Sequence, residues 1–137
     1  KNHPKVAIRL NNLAQLLKAT DRLTEAEPLM RRALEIDEAS FGKNHPKVAI
    51  RLNNLARLLH DTNRLAEAEP LMRRALTILL KSLGPDHPNS QLVADNYISL
   101  LQDLGHTEAQ ITESLRTLLD CPTPSHACNI TRPRFPA

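Results

Sequence analysis

Residues 43–84 read KNHPKVAIRLNNLARLLHDTNRLAEAEPLMRRALTILLKSLG, and residues 1–42 match them at 32 of 42 positions. The pair His-Pro recurs at 3/4, 45/46 and 87/88, which sets a period of 42 residues. Periods of this length are typical of arrays in which each unit stacks only on its neighbours. A third copy over 85–120 has diverged, and its second half aligns after a one-residue deletion. We predict that this copy is a terminal cap.

Apolar residues recur at helical spacing in two segments of the second copy. Val48, Leu52, Leu55 and Leu59 follow one another at steps of 4, 3 and 4 residues. This spacing predicts an amphipathic helix A over about 46–61. A second, broader apolar face predicts helix B over about 66–82. The predicted fold is therefore all-α, with one helical hairpin in each of the three copies.

The ends of these helices carry recognisable signals. Asn44 or His45 stands where the cap of helix A is expected. We expect Asn63 to be left-handed in the turn between the helices, because Gly105 occupies the equivalent place in the third copy. In the first copy, residues 24–27 (Thr-Glu-Ala-Glu) are typical of a capping box.

The composition excludes several classes of function. Of 137 residues, 41% are hydrophobic and 24% charged, as in one soluble globular unit. The 3 glycines are scattered, so no glycine-rich phosphate loop is expected. With 2 Phe, 1 Tyr and no Trp, a platform for stacking bases is not expected either. The sequence has no run of about 20 apolar residues, so no membrane span is predicted. We expect a cytoplasmic protein. Because the sequence starts Lys-Asn-His-Pro, without an initiator Met, we expect it to be a fragment of a longer protein.

The charge is unevenly distributed. Residues 1–84 carry 15 Lys and Arg against 9 Asp and Glu, whereas residues 85–120 carry 1 against 6. The array therefore has a basic body and an acidic end.

Four of the 10 prolines follow residue 120, which predicts an irregular tail over 121–137.

Three runs of the second copy carry a family resemblance: Leu52–Leu58 (LNNLARL), Asn63–Glu69 (NRLAEAE) and Arg74–Ile78 (RALTI). They look like the 42-residue tetratricopeptide repeat of the kinesin light chain type, and the resemblance covers about 120 residues of this chain. It implies a right-handed superhelical solenoid of three helix-turn-helix hairpins. It also implies a non-enzymatic scaffold that binds proteins or peptides.

The same resemblance implies a binding groove. In this family, helices A line the concave side, and Asn side chains there bond the backbone of an extended peptide. Candidate peptide-binding residues on helices A are Asn11, Asn12, Gln15, Lys18, Asn53, Asn54, Arg57, His60, Asn96 and Ser99. Asn is a poor helix former, so its recurrence within helices needs a cause. We favour ligand contact, clear of the core, for Asn11 and Asn53. The alternative, that Asn pairs satisfy carbonyl groups between neighbouring helices, is open for Asn12 and Asn54. Lys18 and Arg57 predict a preference for acidic segments.

A metal or cofactor site is not expected. The three His-Pro histidines occupy equivalent positions about 10 Å apart, too far for one ion, and helix entry explains them. Cys121, His126 and Cys128 lack a fourth ligand, although the two cysteines could form a disulfide in an oxidising compartment. Residues 129–131 form a glycosylation sequon that chance alone can explain.

Two other functions compete with peptide binding. The unequal charge could drive head-to-tail self-association, giving a homo-oligomer. Nucleic-acid binding is disfavoured by the acidic third copy. No paired carboxylates and no Ser/His/Asp grouping stand out, so we do not expect an enzyme.

Overall fold

The computed structural model describes residues 3–119 of the chain, and six α-helices occupy most of this range. They are α1 (Pro4–Ala19), α2 (Leu23–Phe41), α3 (Pro46–Asp61), α4 (Leu65–Ser82), α5 (Pro88–Asp103) and α6 (Glu108–Leu119). No strand occurs in this range, so the all-α prediction is confirmed. Helix α3 has the predicted bounds, and α4 begins one residue before its predicted start. The predicted tail, with its cysteines and sequon, lies outside the described residues.

Helices α1, α3 and α5 all begin with the same histidine cap. The Nδ1 atoms of His3, His45 and His87 each accept a hydrogen bond at 3.1 Å from the backbone N–H two residues further on. A proline then occupies the first turn, where a missing N–H leaves no partner unsatisfied. The histidines therefore start helices, as expected.

The turns inside the first two hairpins depend on a left-handed residue. Asp21 and Asn63 have φ values of 62° and 61°, and Gly105 has 90° in the third hairpin. The prediction for Asn63 is confirmed. The predicted capping box is wrong, because α2 already begins at Leu23 and Thr24 lies within its first turn. The left-handed residue reverses the chain so sharply that the next helix starts two residues later.

One apolar cluster runs through all the hairpins. Its centre is the second hairpin, where Leu52, Leu55 and Leu59 of α3 and Met72 and Leu76 of α4 are fully buried. Each such side chain contributes about 1.5–3 kcal/mol relative to an exposed position. The second hairpin is covered on both sides, by α2 before it and α5 after it.

The third hairpin is built differently. Its α6 starts 43 residues after the start of α4, although α5 starts 42 residues after α3. The third copy therefore has one residue more in its turn than the second copy has. The sequence alignment placed one residue fewer there, and that prediction is wrong. With this shift, Ile98 and Ile111 occupy the places of Ala56 and Ala68, so α5 and α6 approach each other over a shorter length than the earlier pairs. A cleft of about 350 Å³ opens between α4, α5 and α6.

Candidate functional site

Asparagine side chains link the first helices of successive hairpins. Asn54 Nδ2 donates to Asn11 Oδ1 at 3.2 Å, and Asn96 Nδ2 donates to Asn53 Oδ1 at 3.2 Å. We call these two bonds the asparagine rungs. Each joins residues 43 apart, one more than the repeat length. The donor of each rung therefore occupies the repeat position just after that of its acceptor.

Two further side-chain contacts with the same offset lie about two turns further along these helices. Lys18 Nζ is 3.2 Å from Asp61 Oδ2, and His60 Nε2 contacts Asp103 Oδ2. Together with the asparagine rungs they hold α1, α3 and α5 side by side on one face of the array, which we call the A-helix surface.

On either side of its rung asparagine, each of these helices exposes one position, and the two positions are seven residues apart, which two turns of helix place on one face. These open positions are Ile8 and Gln15, Ile50 and Arg57, and Leu92 and Ser99. The aliphatic member of each pair is 47%, 39% and 53% exposed, from α1 to α5. A single exposed aliphatic residue is ordinary. Its recurrence at one position of every repeat is not required by the fold.

This aliphatic row was not predicted from the sequence. An isoleucine in an amphipathic helix resembles a core residue when its helix is considered alone. The signal that could have revealed it is its position three residues before Asn11 and Asn53, which places it outside the Leu stripe.

A cleft of about 130 Å³ opens between α1 and α3 at one end of the A-helix surface. Ile8 and Ile50 line it together with Phe41, whose ring stacks on His45 with centroids 4.8 Å apart. Lys47 Nζ lies 4.6 Å from the Phe41 centroid. The cleft combines an apolar wall with a cation and can accept a small apolar side chain.

All ten predicted site residues lie on α1, α3 and α5. Six contact a neighbouring repeat: Asn11, Asn53, Asn54 and Asn96 form the asparagine rungs, and Lys18 and His60 contact Asp61 and Asp103. The other four are exposed: Asn12, Gln15, Arg57 and Ser99. The expectation that Asn11 and Asn53 stand clear of the packing is wrong. They are 9% and 5% exposed and accept hydrogen bonds from the next hairpin. Their contact with a ligand stays a prediction.

Arg57 is an exposed cation of the A-helix surface. Lys18, predicted beside it, is held by Asp61. Arg57 is exposed and forms no ion pair within residues 3–119. Arg57 is therefore the better placed of the two for a negatively charged ligand.

A separate ion network joins α2 to α4. Glu27 accepts from Arg31 Nε at 2.9 Å and from Arg64, which also binds Glu67. Burial raises the pKa of Glu27, but the hydrogen bonds from Arg31 and Arg64 outweigh it and leave the pKa below its usual 4.5. The hydrogen bonds to Glu67 and Glu27 raise the pKa of Arg64, so this network is charged at neutral pH.

Tyr97 ties α5 to α4 in a similar way. Its hydroxyl donates to Glu69 Oε2 at 2.6 Å. Burial, and then the contact with Glu69, raise the pKa of Tyr97.

Within residues 3–119, no three His, Cys, Asp or Glu side chains come together as they would around a metal ion. None of the helices described is long and apolar enough to cross a membrane.

The sequence model of the tetratricopeptide repeat matches residues 5–81, more than half of the chain. No curated protein sequence is significantly similar to this chain.

Solved structures share the fold. A putative kinesin light chain of Podosopora anserina, described as having nearly identical TPR-like repeats, superposes with a TM-score of 0.76 at 21% identity over 92% of this chain and 60% of that one. BtubC (BKLC) of P. vanneervenii gives a TM-score of 0.72 at 21% identity over 90% and 49%. The chain thus spans about half to three fifths of these structures.

Proposed function

Because this chain belongs to the tetratricopeptide repeat family, whose members generally serve as protein-interaction scaffolds, we propose that it binds extended peptide segments of partner proteins along the A-helix surface. Such folds are typically non-catalytic, and we assign this chain no reaction. The observation that carries it is the exposed aliphatic residue at one position of all three repeats, Ile8, Ile50 and Leu92.

The spacing of the open positions suits an extended ligand. Neighbouring helices pack about 10 Å apart, and an extended strand advances about 3.3 Å per residue. Three ligand residues therefore span one repeat. A peptide with an apolar residue at every third position can place one side chain at each aliphatic open position.

The rungs leave hydrogen-bonding capacity for the ligand backbone. A carboxamide has two N–H donors and an oxygen with two acceptor sites. In the first rung Asn54 uses one donor and Asn11 one acceptor site. The Nδ2 donors of Asn11 take no part in that rung and supply the predicted bond to a peptide carbonyl.

Charge favours acidic partners. Residues 1–84 carry 15 basic against 9 acidic residues, and Arg57 is exposed on α3 between Asn53 and His60. An acidic segment is attracted to this part of the array and repelled by the third repeat, which favours binding over the first two repeats.

The test uses three synthetic peptides of equal length, each with leucine at every third position and with Glu, Gln or Lys at the others. We expect the Glu peptide to bind most tightly in fluorescence anisotropy. Arg57→Glu should weaken that peptide several-fold, and Ile50→Ser should weaken all three. The control is Lys81→Glu, an equal charge change at an exposed position of α4. Equal losses in Arg57→Glu and Lys81→Glu, or no binding of any peptide, would contradict the proposal.

A further inference from the structure

The first repeat carries a second surface on the side of α1 that faces away from α3. Leu13 and Leu16 are 47% and 65% exposed there. Their equivalents in the second repeat, Leu55 and Leu58, are 0% and 1% exposed. The difference arises because α2 covers the equivalent side of α3, whereas none of residues 3–119 covers this side of α1.

Five polar side-chain contacts accompany the covered leucines between the first and second repeats. In one of them Lys18 of the first repeat donates to Asp61. In the other four, the second repeat supplies one asparagine and three arginines, and the first repeat supplies the acceptors. The pairs are Asn54 with Asn11, Arg51 with Asp37 at 2.7 Å, Arg64 with Glu27, and Arg74 with Glu38 at 2.8 Å. The acceptor side is thus one amide and three carboxylates.

The first repeat has all four donors at the positions 42 residues earlier: Asn12, Arg9, Arg22 and Arg32. All four are exposed. Arg22 binds Glu25 of its own helix, as Arg64 binds Glu67. Unlike Arg64, it has no second carboxylate within residues 3–119. We call these four residues, with Leu13 and Leu16, the N-terminal face.

The contacts between the second and third repeats show which partner the N-terminal face requires. There, Leu79 and Leu80 stand in place of Asp37 and Glu38, and Val93 stands in place of Arg51. Arg9 docked against such leucines would be a buried charge without a partner, which is strongly unfavourable. A second copy of the chain does not supply the needed side either, because its own second repeat covers the side that carries Asp37.

We propose that the N-terminal face is a docking surface for one more 42-residue repeat, joined in series ahead of the first. Its second helix carries Glu, Asp and Glu at the positions of Glu27, Asp37 and Glu38. These three carboxylates complement Arg22, Arg9 and Arg32, while the same helix covers Leu13 and Leu16. A repeat of the second type, with leucines at the last two acidic positions, is rejected. The inference is independent of peptide binding along the A-helix surface.

The test adds a copy of residues 1–42 directly before Lys1 of the complete chain. In a matched variant, the added copy carries leucine at its equivalents of Asp37 and Glu38, the residues found in the second repeat. Both chains are compared with the parent by hydrogen exchange of residues 4–19 and by thermal unfolding. We expect the acidic copy to slow exchange in α1 about tenfold and to unfold with the array in one transition. The leucine copy should give little protection.

A rescue variant separates recognition from simple crowding. Arg9→Val in the chain with the leucine copy recreates the Leu79 and Val93 arrangement, and we expect it to restore protection of α1. Equal protection by the acidic and leucine copies, or none by either, overturns the proposal. So does sedimentation showing that the parent chain already forms an oligomer that Leu16→Glu dissociates.

Discussion

Arg51 Nε donates to Asp37 Oδ2 at 2.7 Å, and this ion pair joins the first repeat to the second. Both side chains are largely removed from solvent, with 13% and 2% exposure. Between the second and third repeats the same two positions hold Val93 and Leu79, which are 2% and 0% exposed. The same two repeat positions therefore hold an ion pair at the first junction and an apolar pair at the second.

Replacing one member of the ion pair should cost far more than replacing both. Asp37→Leu leaves Arg51 buried without its carboxylate, and we expect a loss of about 3 kcal/mol in the free energy of unfolding. The double variant Asp37→Leu, Arg51→Val should recover most of it, because its new pair already exists elsewhere in the array. Chemical denaturation of both variants measures this. A double variant as unstable as the single one would show that the two interfaces are not interchangeable.

The asparagine rungs should contribute to stability. In Asn53→Ala, the donor of Asn96 loses its partner, and we expect a loss of about 1 kcal/mol after allowing for the better helix propensity of Ala. Asn12→Ala is the matched control, since Asn12 is exposed and should tolerate the change or gain slightly. Thermal melts of the two variants decide this. Equal melting temperatures would mean that the rung adds nothing measurable.

Acid should weaken the contact between α2 and α4. The pKa of Glu27 is below 4.5 in the folded chain and close to 4.5 when unfolded. The unfolded chain therefore binds more protons in this range, so the stability from Glu27 is present above pH 4.5 and is lost as the pH falls through the folded pKa.

Glu27→Gln should lower the stability at neutral pH and make its decline between about pH 5 and pH 3 shallower. Glu35→Gln is the control, because Glu35 is exposed and forms no ion pair within residues 3–119. Urea denaturation at several pH values gives both slopes. Parallel acid profiles of Glu27→Gln and the parent would rule out this contribution.

The His-Pro histidines should act as caps and not as metal ligands. His45→Ala removes the acceptor for Lys47 N–H, and we expect a loss of about 1 kcal/mol. His45→Asn restores a capping side chain and should recover much of it. Zinc chloride should leave the melting temperature of the parent unchanged. A rise with zinc that His45→Asn abolishes would instead indicate metal binding.

The helices were predictable because their signals are local. Apolar spacing and a proline after His45 determine where α3 begins, and a left-handed Asn63 determines where its turn lies. The start of α2 was missed because two signals competed. Thr24 favours a cap, but the reversal at Asp21 returns the chain to helix earlier.

The asparagine rungs could not be predicted from the 42-residue period alone. A 42-residue repeat shows that Asn11 and Asn53 are equivalent, but not that each one bonds the following position of the next repeat. That offset depends on how neighbouring helices are rotated about their axes, which is a property of the packed array. The register of the third hairpin was missed for a related reason, since one additional residue in its turn shifts every residue of α6 by one position.

The adjacent asparagines of each repeat have a genetic consequence. Asn53 is the acceptor of one rung and Asn54 the donor of another, so a single repeat encodes both halves of the link. Unequal recombination that adds or removes a whole 42-residue segment between such repeats leaves each surviving junction with a donor and an acceptor. The asparagine rungs are then kept when array length varies over generations, whereas a gain or loss of any other length breaks them at once.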